Sequence, residues 1–411
     1  MATPPEPNPA TIGARARRIR HRRGLSLKVV AELAGIGKSY LSMLETGERR
    51  FDDRKLIYNV AAALGCSPID ITGEPYGPPD RASAEALANI PAIALALHDC
   101  SLDDVPDTRP RPVDQLVQAV RDANQHRDQT DYVAAGRGLG SVLTELQIHV
   151  ASGDGATRQA ALAAIVEAGI VGYELLKNLG HAELALEMTR RGAEAAARLD
   201  DPGLRAFAEW YRSLALMRLG AGRRANTVLA KAVNELEPAA DPTVPSTRTA
   251  EVYGLLHLTS ALQAARGGDE EAAETHLDEA DRIAARIGER NSLRQHFGPT
   301  NVGLWRVSIG VELRHGARAF EQAKRANVDP AVLGSKNRVA GFNFDLARLL
   351  AQEEDGRRDW EAVQHMDRAD RVAPNRMRMD PVARELIAGL DNRARQRTWE
   401  LGSLRNRYGL S

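Results

Sequence analysis

From Val113 onward the chain offers a single periodicity. Apolar residues recur at i, i+3, i+4 and i+7, and no stretch alternates apolar and polar residues as a half-buried strand does. Such a chain must bury helical stripes against one another, so an all-α architecture is expected. Short breakers interrupt the pattern at Asn178-Leu-Gly180, Asp200-Asp-Pro-Gly203, Leu219-Gly-Ala-Gly222, Gly267-Gly-Asp269, Gly298-Pro299 and Asp355-Gly356. They delimit helices of about 12–20 residues joined as hairpins.

Several hairpins share a grammar. An aromatic stands early in the first helix, a Gly or Asp turn follows, and alanines lie on the second helix. Trp210, Leu219-Gly220, Ala225 and Ala230 form one copy, and Tyr253, Gly267-Gly268, Ala272 and Ala280 another. An amphipathic hairpin cannot bury its own apolar face, so it stacks on the next one, and small residues at the crossings allow close approach. Hydrophobic residues make up 43% of the chain and aromatics only 4%, which favours many small-residue helix contacts. The stretch from about 113 to 375 resembles a tetratricopeptide-type α-solenoid. It places a helical repeat domain at 113–411.

A different unit precedes it. Residues 1–72 hold twelve Lys/Arg against seven Asp/Glu, a net of +5 in a chain whose formal charge is zero. The excess concentrates at Arg15, Arg17, Arg18, Arg20, Arg22 and Arg23. A uniformly basic coat is excluded, but a local basic patch is not. Residues 1–10, rich in proline, read as a disordered tail without the apolar core of a signal peptide. The breaker cluster Thr72 to Asp80 closes the unit, and Val105 to Pro112, with three prolines, forms a second break. Between the two breaks, Ala82 to Cys100 reads as a connector helix despite Pro91, within a linker at 73–112.

Inside 11–72 the pattern predicts five short helices. They are Ala14 to Arg23, Leu27 to Ala34 capped by Ser26, Lys38 to Leu44, Asp52 to Leu64, and Pro68 to Ile71. Gly35-Ile-Gly37 is a tight turn between the second and third. The run Gly24-Leu25-Ser26, Val30-Ala31, Ala34-Gly35-Ile36-Gly37-Lys38-Ser39-Tyr40-Leu41-Ser42, Leu44-Glu45-Thr46-Gly47 and Ala61-Ala62-Ala63-Leu64-Gly65 resembles the XRE/Cro-type helix-turn-helix of phage repressors. The resemblance implies double-stranded DNA as a partner and the third helix as the recognition helix in the major groove. It places Lys38, Ser39 and Met43 at base edges with Ser42 nearby, and Ser26 and Leu27 at phosphate. Many family members carry glutamine where this chain has Leu27. Arg49 and Arg50 are expected at phosphates. Arg20 and Glu45 match a family pair that forms an internal salt bridge, a structural role.

Catalytic signals are lacking. No G-x-S-x-G, P-loop or nucleophile–base grouping occurs, and Gly136-Arg-Gly138-Leu-Gly140 has no preceding strand. His181, His257, His276, His296, His315 and His365 read as single histidines with no metal-ligand spacing, and the two cysteines, Cys66 and Cys100, form no C-x-x-C. No enzyme, metal or cofactor is expected. With no run of 18 apolar residues, no membrane span is expected either, and a cytoplasmic location follows.

A Cro-type reader followed by tetratricopeptide-like repeats resembles the peptide-sensing RRNPP regulators and, more closely, the XRE-plus-repeat regulators of actinobacteria. That resemblance implies a homodimeric transcription regulator whose repeats sense a peptide or small-molecule effector. Asparagine amides would clamp the ligand, since a carboxamide both donates and accepts. Candidates are Asn301, Trp305 and Arg306 on the helix after Gly298-Pro299, and Asn337, Arg338 and Asn343 on a later one, with Tyr211 and Tyr253 on earlier helices. Two rival readings remain. In one the array is an adaptor for a protein partner and the helix-turn-helix only tethers it; in the other the array serves dimerisation alone.

Overall fold

The computed structural model describes residues 11–74, 80–239, 247–353, 355–394, 396 and 398–410. The expected tail at 1–10 and most of the breaker at 72–80 lie outside the described residues. Among them the protein is all α, with one isolated bridge between Arg290 and Phe297 and no strand.

The first unit holds α1 (Ile12–Arg22), α2 (Leu27–Ala34), α3 (Lys38–Thr46), α4 (Arg54–Leu64) and α5 (Pro68–Thr72). Side-chain caps set the starts of four of them: Thr11 accepts from Ala14 N, Ser26 from Val29 N, Asp53 from Leu56 N, and Ser67 with Asp70 closes a capping box. Gly35 ends α2 at φ 69°, a left-handed conformation that a β-carbon disfavours. Val30, Ala31, Leu41, Leu44, Val60, Leu64 and Ile71 fill the centre.

Two short helices follow, α6 (Arg81–Leu87) and α7 (Ile90–His98). They correct the expectation of one connector helix. The chain breaks at Ala88 and Asn89, and Pro91 falls in the first turn of α7, where a missing N–H costs nothing. Nor is this part a free linker: Ala86, Ile90, Ile93, Leu97 and Leu102 are buried in the same core as the repeats.

The repeat domain begins with α8 (Val113–Asp128), α9 (Tyr132–Gly136) and α10 (Leu139–Ser152). Five hairpins follow: α11 (Gly155–Asn178) with α12 (Ala182–Ala197), α13 (Pro202–Arg218) with α14 (Gly222–Leu236), α15 (Thr247–Gly267) with α16 (Glu270–Ile287), α17 (Pro299–Glu312) with α18 (Gly316–Arg325), and α19 (Lys336–Ala351) with α20 (Asp359–Val372). The chain then runs through α21 (Pro374–Met377), α22 (Pro381–Arg393) and α23 (Trp399–Arg407). By length and composition α11 could cross a membrane, yet 72% of its most apolar stretch is buried inside the fold, which makes it a core helix.

Close crossings explain the small residues. The Tyr211 hydroxyl donates to Val166 O at 3.2 Å, and a methyl added at Gly169 or Gly192 would overlap that hydroxyl. Tyr211 and Tyr253, named above as candidates, are both buried in the core of the repeats. The array curves far enough to bring the end of α8 to the start of α19. At the end of α8, Asp128 holds Ser335 Oγ at 2.6 Å and His296 Nε2 at 2.8 Å, and Gln129 donates to Gly334 O at 2.8 Å.

We expect Gly192→Ala to destabilise the protein by about 1–3 kcal/mol through overpacking. Adding Tyr211→Phe should restore part of that loss by removing the clashing oxygen. Thermal or urea unfolding of the two single variants and the double variant measures this coupling; strict additivity would refute it.

Candidate functional site

On α3 the side chains divide cleanly. Leu41, Leu44 and Glu45 point inward and are buried, whereas Lys38 and Ser39 are exposed and Ser42 and Met43 are half-exposed. Spacings of four residues (Lys38 to Ser42, Ser39 to Met43) and of three (Ser39 to Ser42) put these four on one face. Lys38 and Ser39 stay exposed with the described residues of the repeat domain in place. Ser26 is exposed at the start of α2, its hydroxyl engaged with Val29 N at 3.2 Å. Leu27 packs half-buried against the apolar core, which gives this leucine a packing role.

Arg20 and Glu45 form the expected pair. Nε and Nη2 of Arg20 reach the two carboxylate oxygens at 2.7 Å each, with side chains only 8% and 4% exposed. The hydrogen bond that Arg20 donates to Glu45 raises the pKa of Arg20 against the cost of burial.

Arg49 is exposed beside α3, but Arg50 is not a phosphate contact. Its guanidinium turns toward the repeat domain, 3.9 Å from Glu385 on α22. Arg50 belongs to a docking interface that the sequence did not disclose. Ile12 N donates to Glu385 Oε1 at 3.2 Å, Arg54 pairs with Asp380 at 2.6 Å, and Arg218 pairs with Glu74 at 2.5 Å. Burial opposes ionisation of Asp380, but Arg54 and Arg218 overcome it and hold the carboxyl at about 2. The apolar core of the first unit runs on without a break into that of α17–α23.

Arg54 also lines a groove. The inner helices of all five hairpins, α11, α13, α15, α17 and α19, surround a cavity of about 270 Å³. A smaller cavity of about 160 Å³, reaching Tyr58 and Arg218, shares much of its wall. Four of the six candidate effector residues line the larger one: Asn301, Trp305, Asn337 and Arg338. Arg306 does not join them. It turns to the outer helix α16, where Glu274 lies at 3.2 Å and Asp278 at 3.7 Å, with Asp281 also in contact. Asn343 is buried behind the wall, donating to Val339 O at 2.9 Å and meeting His365 Nδ1 at 3.0 Å.

The groove also holds residues the sequence reading missed: Arg127, Tyr173, Glu174, Lys177, Trp210, Arg348 and Arg376. They come from elements distant in the chain, so no local spacing marks them. The histidines are not all single, since His257 and His276 face each other with Nδ1 atoms 3.0 Å apart. Burial first, and His276 second, lower the pKa of His257 to about 4, so the pair is neutral near pH 7. No group of three or more His, Cys, Asp or Glu positioned for a metal ion occurs among the described residues.

Comparison with known proteins bears on the first unit. Residues 11–71 match the family model of a helix-turn-helix domain. The N-terminal unit is therefore a helix-turn-helix, the DNA-binding module of transcription regulators, on an all-helical repeat frame. Among solved structures, Bacillus thuringiensis PlcR in complex with the peptide PapR7 and DNA is similar at 15% identity, covering 67% of this chain and 95% of that one, with a TM-score of 0.28. No curated protein matches the chain.

Two substitutions separate contact from scaffold. Lys38→Ala should cost about 1–3 kcal/mol of specific binding and relax sequence preference, with an unchanged melting temperature. Glu45→Ala should destabilise the helix-turn-helix by about 3–5 kcal/mol, since it strands a buried guanidinium. Competition gel shifts with specific and unrelated DNA, run beside thermal melts, read both; an unaltered melt for Glu45→Ala would contradict the scaffold role.

Proposed function

We propose that this chain is a homodimeric, sequence-specific transcription regulator whose repeat groove senses a small effector. Lys38, Ser39, Ser42 and Met43 read base edges. Arg49 and the start of α2 at Ser26 meet the phosphate backbone. One reader covers only a half-site, so the operator is bound by two copies about one helical turn apart, held by their repeat domains.

The observation that carries the sensing role is the position of Arg54. It belongs to α4 of the reader, yet it lines the groove and pairs there with Asp380 at 2.6 Å. A ligand in the groove thus meets the DNA-binding unit directly. Such a ligand favours one position of the reader only by its difference in affinity for the two states. Asn301, Asn337 and Trp305 supply an amide pair and an aromatic wall to the same cavity.

The test is a gel shift on DNA upstream of the chain's own coding region, with the mass of the complex measured by sedimentation. Specific retardation as a dimer supports the reading; binding that does not depend on sequence favours an adaptor. Asp380→Asn should change operator affinity by about 5–150-fold, the usual span of such couplings. Unaltered operator affinity in that variant would remove the link between groove and reader.

A further inference from the structure

The ion pairs of the groove leave a remainder. Each of its four carboxylates already has a cation: Glu174 holds Lys177 at 2.8 Å, Glu312 lies 3.5 Å from both Arg266 and Arg348, Asp345 is 3.2 Å from Arg348, and Asp380 holds Arg54. Three guanidiniums stay without a carboxylate at ion-pair distance among the described residues: Arg127, Arg338 and Arg376. Their partners are neutral. Arg127 donates to Arg294 O at 2.7 Å and to Asn124 Oδ1 at 2.8 Å, Arg338 to Gln295 O at 2.8 Å, and Arg376 to Asn337 Oδ1 at 2.6 Å. Arg338 Nε has no partner at all.

Cations confined this way are held at a cost. Burial lowers the pKa of Arg338 to about 10; Asp128 partly opposes this, and Arg127 and Arg376 add to it. Arginine does not deprotonate in proteins, so the charge remains and calls for a counter-ion. A second orphan is of opposite kind. Asn301 is fully buried, its Nδ2 donates to Gln295 O at 3.3 Å, and its Oδ1 accepts from nothing.

We propose that Arg127, Arg338 and Arg376 form a subsite for the anionic group of the effector, a carboxylate or a phosphate, with Asn301 Oδ1 taking an N–H of the same ligand. The inference rests on the effector-sensing reading and names the ligand's class. Guanidinium forks suit the planar oxygens of either anion. At about 270 Å³ the cavity lies just below the usual range for drug-sized ligands, which is about 300–1,000 Å³. It suits a metabolite-sized anion or the end of a short peptide.

Thermal melts of the full-length protein test this at constant ionic strength. The probes are inorganic phosphate against chloride, and one tripeptide mixture as free acids against the same mixture amidated. Phosphate or the free acids should raise the melting temperature by a few degrees; which of them does so tells the two sources apart. Arg338→Gln should raise the melting temperature of the ligand-free protein and abolish that increment, and Arg376→Gln should abolish it as well. Equal stabilisation by amidated and free peptides, no stabilisation by any probe, or an undiminished increment in both variants overturns the subsite. Gel shifts with the same probes keep the two ideas distinct. An increment lost in the variants but without effect on operator binding upholds the subsite and refutes sensing; an operator response that survives both substitutions does the reverse.

Discussion

How closely helices can cross governs this molecule. In the repeat domain the Tyr211 hydroxyl sits where side chains at Gly169 and Gly192 would otherwise be, and alanines such as Ala195, Ala225 and Ala280 are buried along the outer helices of the hairpins. With so few aromatics, the core gains its contacts from proximity and not from bulk. The five hairpins stack on one another, and one helix of each lines the central cavity. The groove is therefore a product of the packing that stabilises the fold.

An inward face cannot be apolar all round if it stays open to water, nor can it carry charges carelessly. Here each carboxylate has a cation, some from the next turn of the same helix and some, as Arg54 with Asp380, from far along the chain. Among the described residues three guanidiniums are left over. A buried pair adds little net stability but penalises any arrangement that separates its members. Arg54 with Asp380, and Arg218 with Glu74, thereby fix where the helix-turn-helix sits on the groove's rim. That position keeps α4 against the repeats and leaves the polar face of α3 open.

The helix-turn-helix was legible because its determinants are local. Caps at Ser26 and Asp53, the turn at Gly35 and the inward spacing of Leu41 and Leu44 all act within a few residues. Hairpin boundaries were legible for the same reason. Orientation around a helix axis was not. On α17, Asn301, Trp305 and Ser308 face the groove while Arg306 faces α16, and the helix is apolar enough on every side to hide the difference. The same blindness assigned Arg50 to DNA when Glu385, far along the chain, turns it the other way. Arg127 and Arg376 gave no signal because curvature, not spacing, brings them together.

The seam between α8 and the start of α19 changes the mechanics of the array. An open superhelix behaves as a spring: each interface yields a little, and the ends move freely. Here Asp128 and Gln129 clip one end to Ser335 and Gly334 and to the turn that carries His296, so the coil becomes a hoop. A hoop has a fixed perimeter. Spreading one hairpin pair must either squeeze another or open the clasp, so deformation is shared around the whole circumference or concentrated at one polar joint.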